Sequence, residues 1–345
     1  MFVRIPCHSP PVFRSLAWQV LLLLAVCCGC STGIHPETRP ATRRVVYAVA
    51  GDATRSLLHR FAPVYTVVEE NPSDDRIGRA AIRRDDTGAE ETYVDPRQPV
   101  VYAEERMVNL PGGGGFRNLI YRVHFPAVPF RLLPLQLTAG RNGGLIVIIS
   151  LDSDNLPLLV TTVHTCGCYL AMFPTSNLKS AELPPGWNPE KQEVYGISLP
   201  GTLRADPAWA DAVPVVMVTG EMHRIAGIAM VPRQRILAGI EPVALTVMPM
   251  AALERLPLPD GGYSSFFHEE GREKGYVKGS DKVLERFLIG WWALDWNVGA
   301  DKKLGLPEEG GAVFYTSLKF WDRHRSDLRD FPRFLDYWGW NLPGH

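Results

Sequence analysis

Glycine and proline, 31 and 29 of 345 residues, are spread along the whole chain. Glycine weakens a helix through backbone entropy and proline through its missing N–H, so this distribution argues for many turns and against a helical bundle. No repeat of fixed period accompanies it. The segments between the turns read as short strands. Residues 118–125 mix aromatic, β-branched and polar side chains as a half-buried strand does. Residues 145–149, Leu-Ile-Val-Ile-Ile, read as a strand buried on both faces. Further strands are predicted at residues 45–49, 158–164, 214–219 and 244–248. Residues 52–61 read as a helix capped by Asp52, with Leu57, Leu58 and Phe61 inward. Residues 71–95 read as an exposed, charged loop around a short strand. The expected fold is mainly β with peripheral α, a β-sandwich or barrel-like core.

Composition changes near Pro257. Beyond it stand Trp291, Trp292, Trp296, Trp321, Trp338 and Trp340. A helix capped by Ser280 is expected to present Val283, Leu284, Phe287, Leu288 and Trp291 on one face, turned inward. A second helix, after Ser326, is expected to turn Leu328, Phe331, Leu335 and Trp338 inward. Core packing is the preferred account of this aromatic enrichment, and a membrane- or ligand-facing surface the other. The predicted organisation is residues 1–29 as signal peptide, 30–44 as tether, 45–256 as a β-rich domain, and 257–345 as an aromatic-rich, partly helical extension packed on the same core.

The first thirty residues follow the order of an export signal. Arg4 and Arg14 precede an apolar run, residues 16–28, broken only by Gln19. That run is short for a membrane span, which needs about 20 residues. Val26-Cys27-Cys28-Gly29-Cys30-Ser31 follows and resembles the lipobox of bacterial lipoproteins. The resemblance implies cleavage before Cys30 and acylation of that cysteine, with Cys28 as the alternative; Cys27 stands where leucine is usual. It also implies a bacterial cell-envelope location, with Ser31 favouring the periplasmic face of the outer membrane. Acyl chains contribute about 0.8 kcal/mol per buried methylene, enough to hold a domain at a bilayer without a spanning helix.

The formal charge is −1, and no long basic run occurs, so a nucleic-acid role has no electrostatic support. The expected partners are a membrane, through the lipid, and an envelope protein.

Of six cysteines, only Cys166 and Cys168 lie beyond Cys30. They belong to His164-Thr165-Cys166-Gly167-Cys168. On a strand, alternate side chains share a face, so His164, Cys166 and Cys168 would project together, continuing the face of Leu158 and Val160. Regular strand spacing is too wide for one metal, and Gly167 is the residue that permits a bend. The readings are a structural disulfide, a redox-active pair aided by protonated His164, a zinc or copper site, or two buried free thiols. Met172 is the nearby candidate copper ligand.

Other motifs carry less. Residues 111–115, Pro-Gly-Gly-Gly-Gly, lack the lysine of a phosphate loop and read as a hairpin tip. His268-Glu269-Glu270 reads as a solvated loop, His124 and His223 as core histidines, and residues 295–301 as turns. No Gly-x-Ser-x-Gly or His-Glu-x-x-His occurs. Arg60-Phe61-Ala62-Pro63, Pro99-Val100-Val101-Tyr102, and the strand ending at His164 resemble the β-sandwich of vacuolar-protein-sorting-associated and necrosis-inducing proteins. Those families carry a His-x-x-Asp-Trp-Glu element where this chain has Arg141-Asn142-Gly143-Gly144. The resemblance implies a sandwich fold and transfers no functional residue. The sequence therefore leans against an enzyme and toward an envelope lipoprotein that binds or assembles at the membrane periphery. The alternatives are a metal or thiol protein centred on His164, Cys166 and Cys168, and a hydrolase using His124, His164 or His268.

Overall fold

The computed structural model describes residues 43–50, 55–110, 113–133, 135–206 and 211–342. Cys30, Asp52, the predicted export signal and residues 30–42 of the predicted tether lie outside them, whereas Arg43 and Arg44, the last residues of that predicted tether, belong to the first strand. The architecture is mainly β, with helices concentrated toward the C-terminus. Ten strands form one sheet: β1 (Arg43–Val49), β2 (Val64–Glu69), β3 (Val100–Asn109), β4 (Gly115–His124), β5 (Gly144–Leu151), β6 (Pro157–His164), β7 (Ala171–Pro174), β8 (Ala212–Val218), β9 (Ile225–Pro232) and β10 (Val243–Pro249). Their spatial order is β7-β6-β5-β4-β3-β10-β1-β2-β8-β9. Pairing is antiparallel except at β1–β10, β10–β3 and β2–β8. Every strand predicted from the sequence is present within a few residues.

The sheet curls. One apolar cluster takes Ala171 and Phe173 from edge strand β7, Ile225, Ile228 and Met230 from edge strand β9, and Leu119, Tyr121, Val147 and Val160 between them. Alternation along each strand puts these residues on one concave face. A hairpin at Lys191–Val194 and Ile197–Pro200 sits between the two sheet edges. Gln192 Nε2 donates to the Met172 carbonyl at 2.9 Å, and Leu199 joins the concave cluster. The edges that would otherwise offer unpaired backbone are thus partly covered.

The convex face is covered in three places. Phe116, Ile120, Ile146, Ile148, Leu159 and Val163 pack against Leu304, Phe314, Leu328, Phe331, Phe334, Leu335 and Trp340 of the C-terminal region. This cover explains why β5 is apolar at every position from Leu145 to Ile149, since both its faces are buried. Near β3, Val100 and Tyr102 pack with Ala80, Ile82 and Val94 and with Leu253, Phe266 and Val277. Residues 71–95 therefore contribute a two-stranded hairpin with buried side chains, Arg79–Arg84 with Glu90–Asp95, and not only an exposed loop. Near β1 and β2, Ala48, Val64 and Val213 lie under Ile236 and Leu237.

Among the described residues the short α-helices are α1 (Leu57–Arg60), α2 (Arg233–Leu237), α3 (Val283–Ala293) and α4 (Phe331–Tyr337). Ser56 caps α1 by accepting from the His59 N–H. Asp330 caps α4 in the same way, accepting from Arg333. No described helix is long and apolar enough to cross a membrane. Phe334 is fully buried between α4 and the sheet, so Phe334→Ala should cost about 3–5 kcal/mol. The check is a urea titration, in which one cooperative transition should move to a lower midpoint.

Candidate functional site

Strand β6 ends at His164, and the chain then turns instead of continuing as a strand. The Gly167 N–H donates to the His164 carbonyl at 2.8 Å, and the His164 N–H to the Cys168 carbonyl at 3.0 Å. Gly167 adopts a φ of 94°, and a Cβ there would lie 2.1 Å from the Tyr315 carbonyl oxygen. Only glycine fits both conditions. This turn brings donor atoms of His164, Cys166 and Cys168 within 4.8 Å of one another. The two sulfurs are joined as a disulfide, with alpha carbons 5.6 Å apart.

The face assignment differs from expectation at one residue. Val160 shares the concave face, whereas Leu158 packs in the convex cluster. The cause is a register shift between Pro157 and Leu159. Met172 pairs with Thr161 and packs on the convex side. It lies on the face opposite His164, which removes it as a partner ligand.

His164 is buried, and its Nε2 donates to the His223 carbonyl at 2.9 Å. Its ring meets Tyr169 edge-on at 4.8 Å. Burial, reinforced by the positive charge of Lys282, pushes its pKa down to about 3. His164 is therefore neutral, and the expected protonated imidazole that would favour a thiolate is not supplied by it. His223 is held by Asp75 Oδ1 at 3.0 Å and stacks on Phe125 with centroids 4.0 Å apart. Asp75 also accepts from the Glu70, Asn71 and Glu221 amides. Despite the opposing effect of burial, these bonds hold its pKa below the usual carboxylate value. For a metal, reduction would be needed first, because a disulfide sulfur is not a thiolate ligand. The neutral imidazole and two reduced sulfurs would then make three donors suited to zinc or cuprous copper.

Behind the turn lies a buried ionic cluster that motif reading missed. Lys302 is fully buried, and its Nζ donates to the Cys166 carbonyl at 2.6 Å and the Ala300 carbonyl at 3.1 Å. It also faces the Tyr315 ring at 4.5 Å. Burial pulls its pKa down to about 8, against the opposing effect of Asp295 and Asp301. Arg122, fully buried on β4, donates from Nη1 to the Lys302 carbonyl and from Nε to His124 Nε2, each at 2.8 Å. His124 in turn bonds the Asn142 carbonyl through Nδ1, so it is a satisfied core histidine. Asp301 accepts from the Thr165 hydroxyl and lies 3.5 Å from Lys282 Nζ. Arg122, Lys282, Asp301 and Lys302 come from three separate segments, and no local spacing relates them. The legible signals were an arginine between the apolar neighbours Tyr121 and Val123 and the Asp301-Lys302 pair in a turn-rich segment.

A cavity of about 200 Å³ opens on the disulfide. Cys166, Cys168, Tyr169, Tyr195, Glu285 and Ile289 are among its walls. Cys166 is buried at its base and Cys168 is partly exposed. Glu285, on α3, is buried, and its Oε2 has no hydrogen-bond partner among the described residues. Gly299 makes room for it, since a Cβ there would stand 2.3 Å from Oε2. Burial raises the Glu285 pKa above the ordinary glutamate value.

The chain matches no protein family, no curated protein and no solved structure.

The site's chemistry therefore rests on its own geometry. His268, the third histidine of the hydrolase reading, lines a different, polar cavity of about 460 Å³ with Glu254, Lys303, Glu309 and Arg329. It lies 3.4 Å from Glu273, half-exposed, as a loop residue would. Residues 295–301 form turns, with Asp295 accepting from the Tyr315 hydroxyl at 2.7 Å.

Glu285 makes a pH-dependent contribution whose sign is fixed. Its folded pKa is raised, so the native state holds a proton that the unfolded chain releases, and stability falls as pH rises above the ordinary value. Glu285→Gln removes this dependence. Thermal melts should show the variant gaining on the parent protein as pH rises above the ordinary glutamate value; parallel melting curves would contradict the raised pKa of the buried carboxyl.

Proposed function

We propose that the protein is an envelope lipoprotein, tethered through Cys30, whose C-terminal aromatic surface seats against the bilayer. The observation that carries this reading is the orientation of α3. Sequence periodicity pointed its apolar residues inward, yet Phe287 is 78% exposed, Trp291 66% and Trp296, just beyond the helix, 71%. Glu285, Gly290 and Ala293 face the core instead. The helix starts after Lys282 and not at Ser280, whose hydroxyl donates to the Val277 carbonyl.

The exposed surface extends beyond α3. Arg323 donates to the Ala293 and Leu294 carbonyls, bringing the exposed Phe320 and Trp321 beside the helix end. Exposed Lys319, His324 and Arg325 lie along this segment. Tryptophans above a basic rim suit the headgroup region of an anionic membrane, where amphipathic rings and cations are both favoured. An 11-residue helix is far too short to span and fits a helix lying in the surface. A lipid anchor would hold the domain at a membrane, where this surface adds a second contact, and stable attachment needs two such signals when one chain is weak.

Two measurements test the reading. Labelled palmitate should be incorporated into the parent protein and not into Cys30→Ser. The unacylated chain beginning at Ser31 should float with phosphatidylglycerol vesicles and show a tryptophan blue shift. Burying one large side chain is worth about 1.5–3 kcal/mol. Phe287→Ser combined with Trp291→Ser should therefore weaken flotation at least about tenfold. Absence of vesicle binding by the unacylated chain would transfer the surface to a protein partner in the envelope.

A further inference from the structure

Among the described cavities and charged clusters, one joins a disulfide, a pocket and buried cations. We propose that Cys166–Cys168 is a thiol–disulfide exchange centre that accepts a peptide or protein dithiol, with Cys168 as the sulfur attacked and Cys166 as the sulfur released. This inference is independent of the membrane reading, since none of its evidence concerns the outer face of α3.

Access comes first. Exchange requires a sulfur that an incoming thiolate can reach. Cys168 is partly exposed at the cavity and Cys166 is buried beneath it, so attack is directed to Cys168. The cavity of about 200 Å³ has Tyr169, Tyr195, Ile289 and Leu318 in its walls, room for one apolar side chain beside the attacking cysteine. Glu285 lines the same cavity, and its Oε2 has no hydrogen-bond partner among the described residues.

The leaving group comes second. Exchange is faster when the released sulfur is stabilised as a thiolate. The Cys168 N–H donates to Cys166 Sγ at 3.4 Å. Lys302 Nζ is 2.6 Å from the Cys166 carbonyl oxygen, inside a cluster where Arg122, Lys282 and Lys302 face the carboxylates of Asp295 and Asp301. A nearby cation and a backbone N–H are the features that lower a thiol pKa. Neutral His164 does not supply them.

The step balances. A substrate thiolate, its proton given to solvent, attacks Cys168 Sγ; the S–S bond breaks and its electron pair goes to Cys166 Sγ. A second substrate thiolate then attacks the substrate sulfur of the mixed disulfide and releases Cys168. The dithiol is oxidised to a disulfide, the Cys166–Cys168 disulfide is reduced to two thiols, and both cysteines take protons from solvent.

The test uses the full chain in detergent and dithiothreitol as the dithiol. The parent disulfide should open under native conditions, read by alkylation and peptide mass, with near-ultraviolet circular dichroism unchanged. In single variants of the same chain, Cys168 in Cys166→Ser should react with an aromatic disulfide probe about tenfold or more faster than Cys166 in Cys168→Ser. Opening only in urea, or loss of the native spectrum on opening, would make the bond structural and overturn the proposal. Equal or reversed reactivity of folded single variants would overturn the assigned order. Should a variant not fold, the parent protein's response to dithiothreitol still decides.

Discussion

Lys302 is a cation with no access to water, and much of the site takes its shape from satisfying it. Its ammonium reaches the carbonyls of Cys166 and Ala300, and its backbone N–H donates to the Thr165 carbonyl at 2.8 Å while its own carbonyl accepts from Arg122. One residue therefore ties the turn after β6, the segment around residue 300 and the middle of the sheet. Moving a charge from water into such a setting costs several kcal/mol unless it is paired and hydrogen-bonded. The aromatic faces of Tyr315 and Tyr276 supplement the carboxylates of Asp295 and Asp301. A buried cluster of this kind is weak evidence for stability, because apolar residues of equal volume often do as well. It does fix geometry. The disulfide turn cannot shift without leaving a buried ammonium short of acceptors.

The same cluster explains why α3 is turned outward. Lys282, just ahead of the helix, approaches Asp301, and Glu285 occupies the space that Gly299 leaves beside it. Once these two groups face inward, helical geometry commits Gly290 and Ala293 to the same side. Positions four residues apart, Val283, Phe287 and Trp291, must then face outward. The apolar exterior follows from where the ions are buried, before any account of membrane or partner is needed.

Much of the sheet was legible because its signal is local. The branched run at residues 145–149 and the alternation at residues 118–125 depend only on neighbours along the chain, and both are strands in the structure. The turn at Gly167 was legible for the same reason, as a position needing freedom that other residues lack. The inward face of α3 was not. Periodicity identifies a helix with two unlike faces and is silent on which one the rest of the protein covers. Glu285 is the single glutamate of that helix, and it is buried beside the distant pair Asp301 and Lys302, which no local spacing relates to it. Leu158 failed on a smaller scale, because one irregularity of register reverses a side chain's face. The protonated His164 failed because burial is a tertiary property.

α3 also ties together two features that are otherwise independent. Glu285 and Ile289, on its inner side, wall the cavity at the disulfide, while Phe287 and Trp291 stand on its outer side. Leu318 belongs to the cavity wall and immediately precedes the exposed segment at Phe320 and Trp321. A surface that pressed on the outer side of α3 would load the same short helix that bounds the cavity. Its N-terminus has no side-chain cap, and its C-terminus ends at Leu294 in a left-handed conformation, with φ 51°. A non-glycine residue in that conformation stores about 1–2 kcal/mol. The helix is thus held in place by the burial of Glu285, Gly290 and Ala293, by the Arg286–Asp281 ion pair and by the Arg323 bonds to its last carbonyls.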